Sequence, residues 1–478
     1  METEALTSDH QVFEDQLLPI FEQQKAYAQA LLISSVEQRK EKLKRLRQWI
    51  LSNRIAIQEA LSRDFHKPVF ETDITEIYST KTELDHALGQ LHKWMRPAKV
   101  GTPLVLIGTR SRVMYEPKGV ALIIAPWNYP FYLLVSPLIS AIAAGCCAIL
   151  KPSEMTPATT SLVKRMVAEL FESREVTVVE GDATVATALL KLPFDHIFFT
   201  GSPQIGKVVM RAAAEHLTSV TLELGGKSPC IVDATANIKD AAEKIAIGKF
   251  LNAGQTCIAP DYILVHKSKE KELVQTIQAV ITQFYGADPE TSPDLAHIIN
   301  SRHLNRLQGL ISDAVAKGAT LVVGGKANAE TRYLAPTLLT GVTPDMQVMQ
   351  EEIFGPVLPV LTFEHIHEVT HFVTERSKPL ALYIFSQDQQ QIDYVLKHTT
   401  AGGVSVNECL MHVLHPDLPF GGVNTSGIGK SHGFYGFVAF SNEKAVLHQR
   451  VGLTNYKQFY PPYTQKVKKL FNLLLQWL

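Results

Sequence analysis

A chain of 478 residues with 46% apolar content is too long for one compact core and is expected to divide into two or three domains. Its 46 basic and 47 acidic residues leave a formal net charge of −1, so no global field draws nucleic acid or an anionic membrane, and a small uncharged or mixed partner fits better. Five cysteines, none in a CxxC or ligand-like cluster, indicate neither a disulfide framework nor a metal site and read as a reducing, cytoplasmic compartment.

The amino-terminal stretch METEALTSDHQVFEDQ is acidic and lacks the basic start and apolar run of an export signal, so the mature chain is expected to begin near Met1. No run reaches the roughly 20 apolar residues of a membrane-spanning helix. From about Ser35 to Leu61, the residues Leu43, Leu46, Trp49, Ile50, Ile57 and Leu61 recur at helical spacing among Lys, Arg and Gln, which predicts amphipathic helices. A second helical stretch, Ile74 to Met95, leads through Pro97 into residues 104–116, read as paired strands turning near Gly108, a hairpin of the kind used in assembly. After Lys118-Gly119 the apolar runs VALIIAP, CCAILKP, EVTVVEGD, HIFFTG and VTLEL alternate with helical segments. That alternation predicts an α/β layout, a parallel sheet wrapped by helices, of the nucleotide-binding type. A new strand and helix series begins after Gly225-Gly226 and runs to about Pro416, a second α/β domain. The boundary then falls between Glu223 and Cys257, and both face one cleft.

Within that layout a few residues stand out for chemistry. Glu223 lies in the strand-like run VTLEL, where a carboxylate is rarely buried without a partner or a task, and Cys257 follows in a Gly-Gln-Thr setting, a base and a nucleophile in prospect. Cys146 and Cys147, inside SAIAAGCCAIL, read as packing. The strand HIFFT ends in Gly201-Ser202-Pro203-Gln204-Ile205-Gly206, and a glycine turn opening a helix suits a pyrophosphate, although it equally suits a plain turn. Lys151 and Glu154 leave the end of CCAIL, where they read either as a solvated loop or as a clasp for ribose hydroxyls; Glu154 would repel a 2′-phosphate and so favours NAD over NADP. Thr156-Pro157 has the form of a helix cap followed by a first-turn proline. Asn128, between Pro126 and Pro130, is a structural turn or a rigid oxyanion donor. Glu352, two residues before Phe354, can hold a second ribose while the ring packs near a nicotinamide.

Taken together and in this order, PWN, KPSE, the FTGS turn, ELGGK, GQ-C and E-IFGP resemble the aldehyde dehydrogenase superfamily over nearly the whole chain, and GQTCIAPDY, LPFGGVNTSGIGKSHG and YPPYT resemble its class 3, fatty-aldehyde branch. The resemblance implies a Rossmann-type cofactor domain, an α/β catalytic domain and a small bridging β-sheet. The divisions expected are residues 1–98 and 118–224 for NAD(P) binding, 225–416 for catalysis, 99–117 and 417–450 for bridging and oligomerisation, and 451–478 as a carboxyl-terminal tail. It also implies that Cys257 is the nucleophile, Glu223 the general base and Asn128 the oxyanion amide, with the Cys257 N–H as second donor. Lys151 and Glu154 would contact the adenosine ribose, Trp127, Ser202 and the Gly201–Gly206 turn would lie by the pyrophosphate, and Glu352 and Phe354 would lie at the nicotinamide side. A homodimer is the expected assembly. Where many relatives carry a lysine nine residues after the oxyanion asparagine this chain has Pro137, so no proton route runs there, and Cys146 replaces a usual asparagine as a packing change.

The reaction implied is NAD(P)-dependent oxidation of a medium- or long-chain, apolar aldehyde through a thiohemiacetal and a thioester. An acyl-CoA-linked enzyme of the same fold is the alternative, disfavoured by Glu223, which such chemistry does not need; a cysteine hydrolase would require a histidine partner and no dinucleotide. The last residues, from Lys466 to Leu478, place a basic cluster before an apolar end, which reads as a helix lying on a membrane surface, capping the substrate tunnel, or docked on the protein itself.

Overall fold

The strand Val120–Ile124 seeds a six-stranded sheet ordered Gly427–Ile428, Ser219–Leu224, His196–Gly201, Val120–Ile124, Cys147–Lys151, Val176–Val178, with every neighbouring pair parallel except the first. The computed structural model describes residues 2–103, 106–452, 454, 457 and 459–477, with side chains from Leu17 onward except that of Trp477. The direction of strand order reverses at Val120–Ile124: the next strand in sequence lies on one side and the two later ones on the other. Such a switch point leaves a crevice at the carboxyl ends of the strands flanking it, here Val120–Ile124 and His196–Gly201.

The strand is apolar throughout because both its faces are covered. Ala121 and Ile123 pack with Leu43, Leu46 and Ile139, whereas Val120 and Leu122 pack with Leu17, Phe21, Ala28 and Leu31. Those last four belong to the helix Glu2–Leu31, an element that the acidic amino-terminal composition had not marked. Gln24 on its buried face donates to the carbonyls of Ala148 (3.1 Å) and Ser173 (3.2 Å), while its Oε1 has no partner among the described residues. The helix Pro157–Leu170 begins with proline as expected, but Thr156 does not cap it; its hydroxyl donates to the Ser153 carbonyl instead. The cap is Asp64, whose carboxylate accepts from the N–H groups of Ala158 (3.0 Å) and Thr159 (2.9 Å), placing a charge against the positive end of the helix.

Past residues 225–228 the chain enters a seven-stranded sheet ordered Thr320–Val323, Thr337–Thr340, Val357–Phe363, Tyr262–His266, Pro229–Val232, Ala381–Phe385, Gly403–Val406, parallel but for its first pair. Alternate residues of Pro229–Val232 again feed two cores, Cys230 and Val232 on one face and Ile231 on the other. A third, antiparallel sheet sets Thr109–Pro117 between Ala98–Val100 and Ser441–Gln449. This corrects the expected hairpin: the partner strand lies before residue 104, Gly108 ends a connecting segment, and Leu104 and Val105 fall outside the described residues. Pairing with Ser441–Gln449 engages every position of Thr109–Pro117, so the long-range partner dominates the local one.

Candidate active site

Cys257 follows the helix Ile238–Phe250 across a tight reversal in which Asn252, Ala253 and Gly254 adopt φ values of 55°, 52° and 72°. Two non-glycine residues in that region cost about 1–3 kcal/mol each unless their surroundings enforce it. The enforcement is visible. Glu71 accepts from the Asn252 N–H (3.0 Å), and the Asn252 amide donates to the carbonyls of Asn128 (2.9 Å) and Gln255 (3.2 Å). Gln255 in turn donates to the carbonyls of Asn252 and His297 and accepts from the Ile299 N–H. Gly254 must be glycine, since a Cβ there would stand 2.3 Å from the Gly355 carbonyl oxygen.

The Asn128 side chain is buried and donates one amide hydrogen to the Gln255 carbonyl (3.0 Å), which leaves its second N–H for another acceptor. Beneath this loop Lys67 and Glu76 form a fully buried ion pair at 2.7 Å. Glu76 also accepts from the Tyr132 N–H (2.8 Å), and the Lys67 ammonium sits 4.0 Å from the Tyr129 ring centroid. Tyr129 and Thr256 share a hydroxyl hydrogen bond of 2.6 Å, so the ionic pair supports the segments carrying both Asn128 and Cys257.

Glu223 is buried near the end of Ser219–Leu224; its Oε1 accepts from the Ser431 hydroxyl at 2.5 Å, and its Oε2 is unpartnered among the described residues. Burial pushes its carboxyl up to about 7, against the opposing pull of Ser431 and Lys430. Glu352 is pushed up to about 8 by burial and the nearby Asp261. Burial also drives the Cys257 thiol upward, and the Glu352 and Glu223 carboxylates add to it. The bare site therefore keeps its cysteine as thiol and two carboxyls close to neutrality, an arrangement that favours arrival of positive charge.

One cleft of about 220 Å³ is lined by Trp127, Asn128, Gly201, Ser202, Glu223, Cys257, Glu352 and Phe354, eight of the residues singled out in the sequence. Lys151, Glu154 and Gly206 are not in its lining. Lys151 is buried at the end of the adjacent strand, donating to Pro152 O (2.8 Å) and Glu154 (3.4 Å), with the Glu154 carboxylate half exposed. A Cβ on Gly206 would meet Leu224 at 2.8 Å, and one on Gly201 would meet the Phe199 ring. His303 and Arg306 also line the cleft and carried no motif, because they sit on an ordinary amphipathic helix, Ser301–Ala316. Arg306 clamps the backbone of Glu352 (3.3 Å) and Ile353 (2.6 Å), holding the segment that aims Phe354, whose own φ is 49°. Phe354 meets Trp127 edge to face at 5.3 Å.

The residues present fit a dinucleotide. The helix Pro203–Glu215 opens at Ser202 onto the cleft and turns its positive dipole end toward it, with the Ser202 hydroxyl capping the Ile205 N–H at 3.4 Å. Three buried polar atoms there lack partners among the described residues, namely Thr200 Oγ1, Glu223 Oε2 and His303 Nδ1. Against the other side of Cys257 lies an apolar pocket of about 150 Å³ lined by Tyr129, Tyr132, Leu251, Ile258, Leu410, Met411, Val413, Leu414, Phe420 and His432. Cys257 and Leu133 line both spaces, so the thiol stands at their junction.

A model of the aldehyde dehydrogenase family matches residues 14–446. The putative aldehyde dehydrogenase AldX of Bacillus subtilis is 47% identical over 92% of this chain and 99% of its own length. The 4,4'-diaponeurosporen-aldehyde dehydrogenase of Staphylococcus aureus is 45% identical over 94% of this chain and 97% of its own. Among solved structures, the substrate-bound state of Staphylococcus aureus AldH superposes with a TM-score of 0.92 at 44% identity, over 96% of this chain and 99% of that one.

Proposed function

This chain belongs to the aldehyde dehydrogenase family, and from that premise we propose an NAD-preferring oxidation of medium- or long-chain apolar aldehydes at Cys257. Oxidation of an aldehyde to its acid with NAD(P) is the family's reaction. The observation that carries the finer reading is the position of the thiol between a polar cleft and an apolar pocket. A hydride acceptor on one side and an apolar chain on the other would meet at one sulfur. The Staphylococcus aureus relative is named as a dehydrogenase of 4,4'-diaponeurosporen-aldehyde, which supports an aldehyde as the substrate.

In this reading bound NAD(P) supplies the hydride acceptor. The Cys257 thiol would give up its proton to solvent once a cationic ring lies beside it; the thiolate then adds to the carbonyl carbon, and the oxyanion formed takes hydrogen bonds from the free N–H of Asn128 and from the Cys257 backbone. Collapse of that oxyanion expels hydride and leaves a thioester on sulfur. Glu223 then draws a proton from water through its unpartnered Oε2; hydroxide adds to the thioester, and the acid leaves as the thiolate returns. Glu352 and Phe354 would flank the nicotinamide, Trp127, Gly201 and Ser202 the pyrophosphate, and Lys151 with Glu154 the adenosine ribose. The exposed Glu154 carboxylate supports NAD, because it would repel a 2′-phosphate.

The test is nicotinamide reduction with NAD and NADP in turn across aldehydes from short to long. A higher kcat/KM with NAD, rising with chain length, is expected; activity confined to short polar aldehydes would refute the substrate class. Asn128→Ala is expected to lower turnover by about 100- to 1000-fold with cofactor affinity retained. Unchanged turnover would remove Asn128 from the reaction.

We further propose a cytoplasmic homodimer, for which sedimentation should give twice the chain mass, and a peripheral membrane role for the tail. The helix Gln465–Trp477 sets Lys466, Lys468 and Lys469 beside exposed Leu470, Phe471, Leu473 and Leu475. No helix among the described residues is long and apolar enough to cross a membrane. Deleting residues 466–478 should reduce sedimentation with anionic vesicles or long-chain turnover; if neither changes, the tail is docked on the protein surface.

A further inference from the structure

The Glu223 carboxylate receives one side-chain hydrogen bond, from Ser431, and that serine is firmly placed. Its N–H donates to the Phe420 carbonyl at 2.7 Å and its own carbonyl accepts from the Phe420 N–H at 3.3 Å. The next residue, His432, is held in turn: its ring stacks on Phe420 at 4.8 Å and lies 3.2 Å from the Tyr132 hydroxyl. A few residues earlier, Gly427 pairs with Glu223 itself in the sheet, so the carboxylate and the serine are tied to one piece of backbone.

We propose that Ser431 is a positioning residue for Glu223: its hydroxyl pins one carboxylate oxygen, Oε1, and leaves the other, Oε2, buried and without a partner among the described residues, as the proton acceptor beside the cleft. The proposal rests on the reading of Glu223 as the deacylating base. A glutamate side chain has three torsions to lose, and Ser431 is the one side chain among the described residues that donates to this carboxylate, so its bond has to select among the rotamers. A short O–H···O⁻ bond at 2.5 Å is of the strong, charge-assisted kind that does. The hydroxyl has little alternative, as the Phe420 carbonyl lies at 3.4 Å.

The other charged and titratable groups around the carboxylate do not replace it. Lys430 Nζ is engaged by the carbonyls of Gly421 and Gly422, and the Tyr132 hydroxyl by His432, which also lies 3.7 Å from Glu83. Of the others lining the same cleft, Glu352 and the Cys257 thiol offer no positive charge, Arg306 is engaged by Glu351 and the carbonyls of Glu352 and Ile353, and His303 packs on the Trp127 ring. Without the serine hydroxyl, the hydrogen bond that opposes burial is gone and the Glu223 carboxyl rises further.

The experiment is an infrared titration of the Glu223 carboxylic-acid band in the purified protein, identified by its absence in Glu223→Gln, alongside pre-steady-state oxidation of octanal with NAD. Ser431→Ala should move the band's midpoint upward by about one pH unit, which from a starting midpoint of about 7 cuts the carboxylate fraction at pH 7 about fivefold. Deacylation should then fall by about fivefold at neutral pH and recover at alkaline pH, while Ser431→Thr, which keeps the hydroxyl, should restore the wild-type profile. A midpoint and a pH profile unmoved by Ser431→Ala overturn the proposal. Full deacylation by Glu223→Gln overturns its premise instead, and the band titration tells the two failures apart because it does not depend on turnover.

Discussion

Cys257→Ala is expected to abolish aldehyde-dependent reduction of NAD while leaving the cofactor's binding intact. The loss should be on the order of 10⁵- to 10⁶-fold, the scale seen when a nucleophile that acts as part of a unit is removed. The alanine keeps the unusual backbone of residues 252–254, because that conformation is imposed by Glu71, Asn128 and Gln255 and not by the thiol. Binding measured by fluorescence quenching or calorimetry should therefore be unchanged. A variant that still reduces NAD would place the chemistry on another group. Without cofactor, alkylation of Cys257 should be slow at neutral pH and climb with pH, since burial and two neighbouring carboxylates raise the thiol. Rapid alkylation of the cofactor-free protein at neutral pH would contradict that electrostatic reading.

Glu223→Gln should split the reaction in two. The first turnover needs no base on water, so a burst of reduced nicotinamide stays, and the steady state falls by about 10²- to 10⁴-fold, the usual contribution of a positioned general base. The carboxyl is pushed up to about 7, so wild-type deacylation rises as pH climbs through that value and the burst does not follow the same curve. The same shift bears on stability. The folded carboxyl, at about 7, lies above its ordinary 4.5, so the fold prefers the neutral acid. Its contribution is fully present below pH 4.5, declines as the pH rises from there through 7, and is constant above. Complete expression of the difference is worth about 3 kcal/mol. Glutamine, neutral at every pH, should therefore raise the melting temperature relative to wild type in mildly alkaline buffer and leave it unchanged in acid. A variant with lost deacylation but no alkaline stabilisation would mean that the carboxylate is better solvated than its burial indicates.

The chemistry proposed for this protein rests on short linear signals. Apolar runs such as VALII and CCAIL follow from strands covered on both faces, a local property of each run. Gly254, Cys257, Glu223, Asn128 and the Glu352-to-Phe354 segment are likewise single stretches whose residue types are dictated by close backbone approach or by charge. What the linear order could not convey was pairing between distant segments. Thr109–Pro117 takes Ser441–Gln449 as its long partner, and an acidic amino terminus turns out to be the helix that covers one face of the first sheet. The apolar pocket draws on residues 74–79, 129–133, 251–258 and 410–432, none of which signals the others. His303 and Arg306 reach the site from an ordinary helix, and Ser431, within the stretch LPFGGVNTSGIGKSHG, carried no role until the fold set it beside Glu223. Periodicity and residue type report the environment each segment needs. Only the assembled tertiary structure decides which segments supply it, because loop closure and packing are settled jointly over the whole chain.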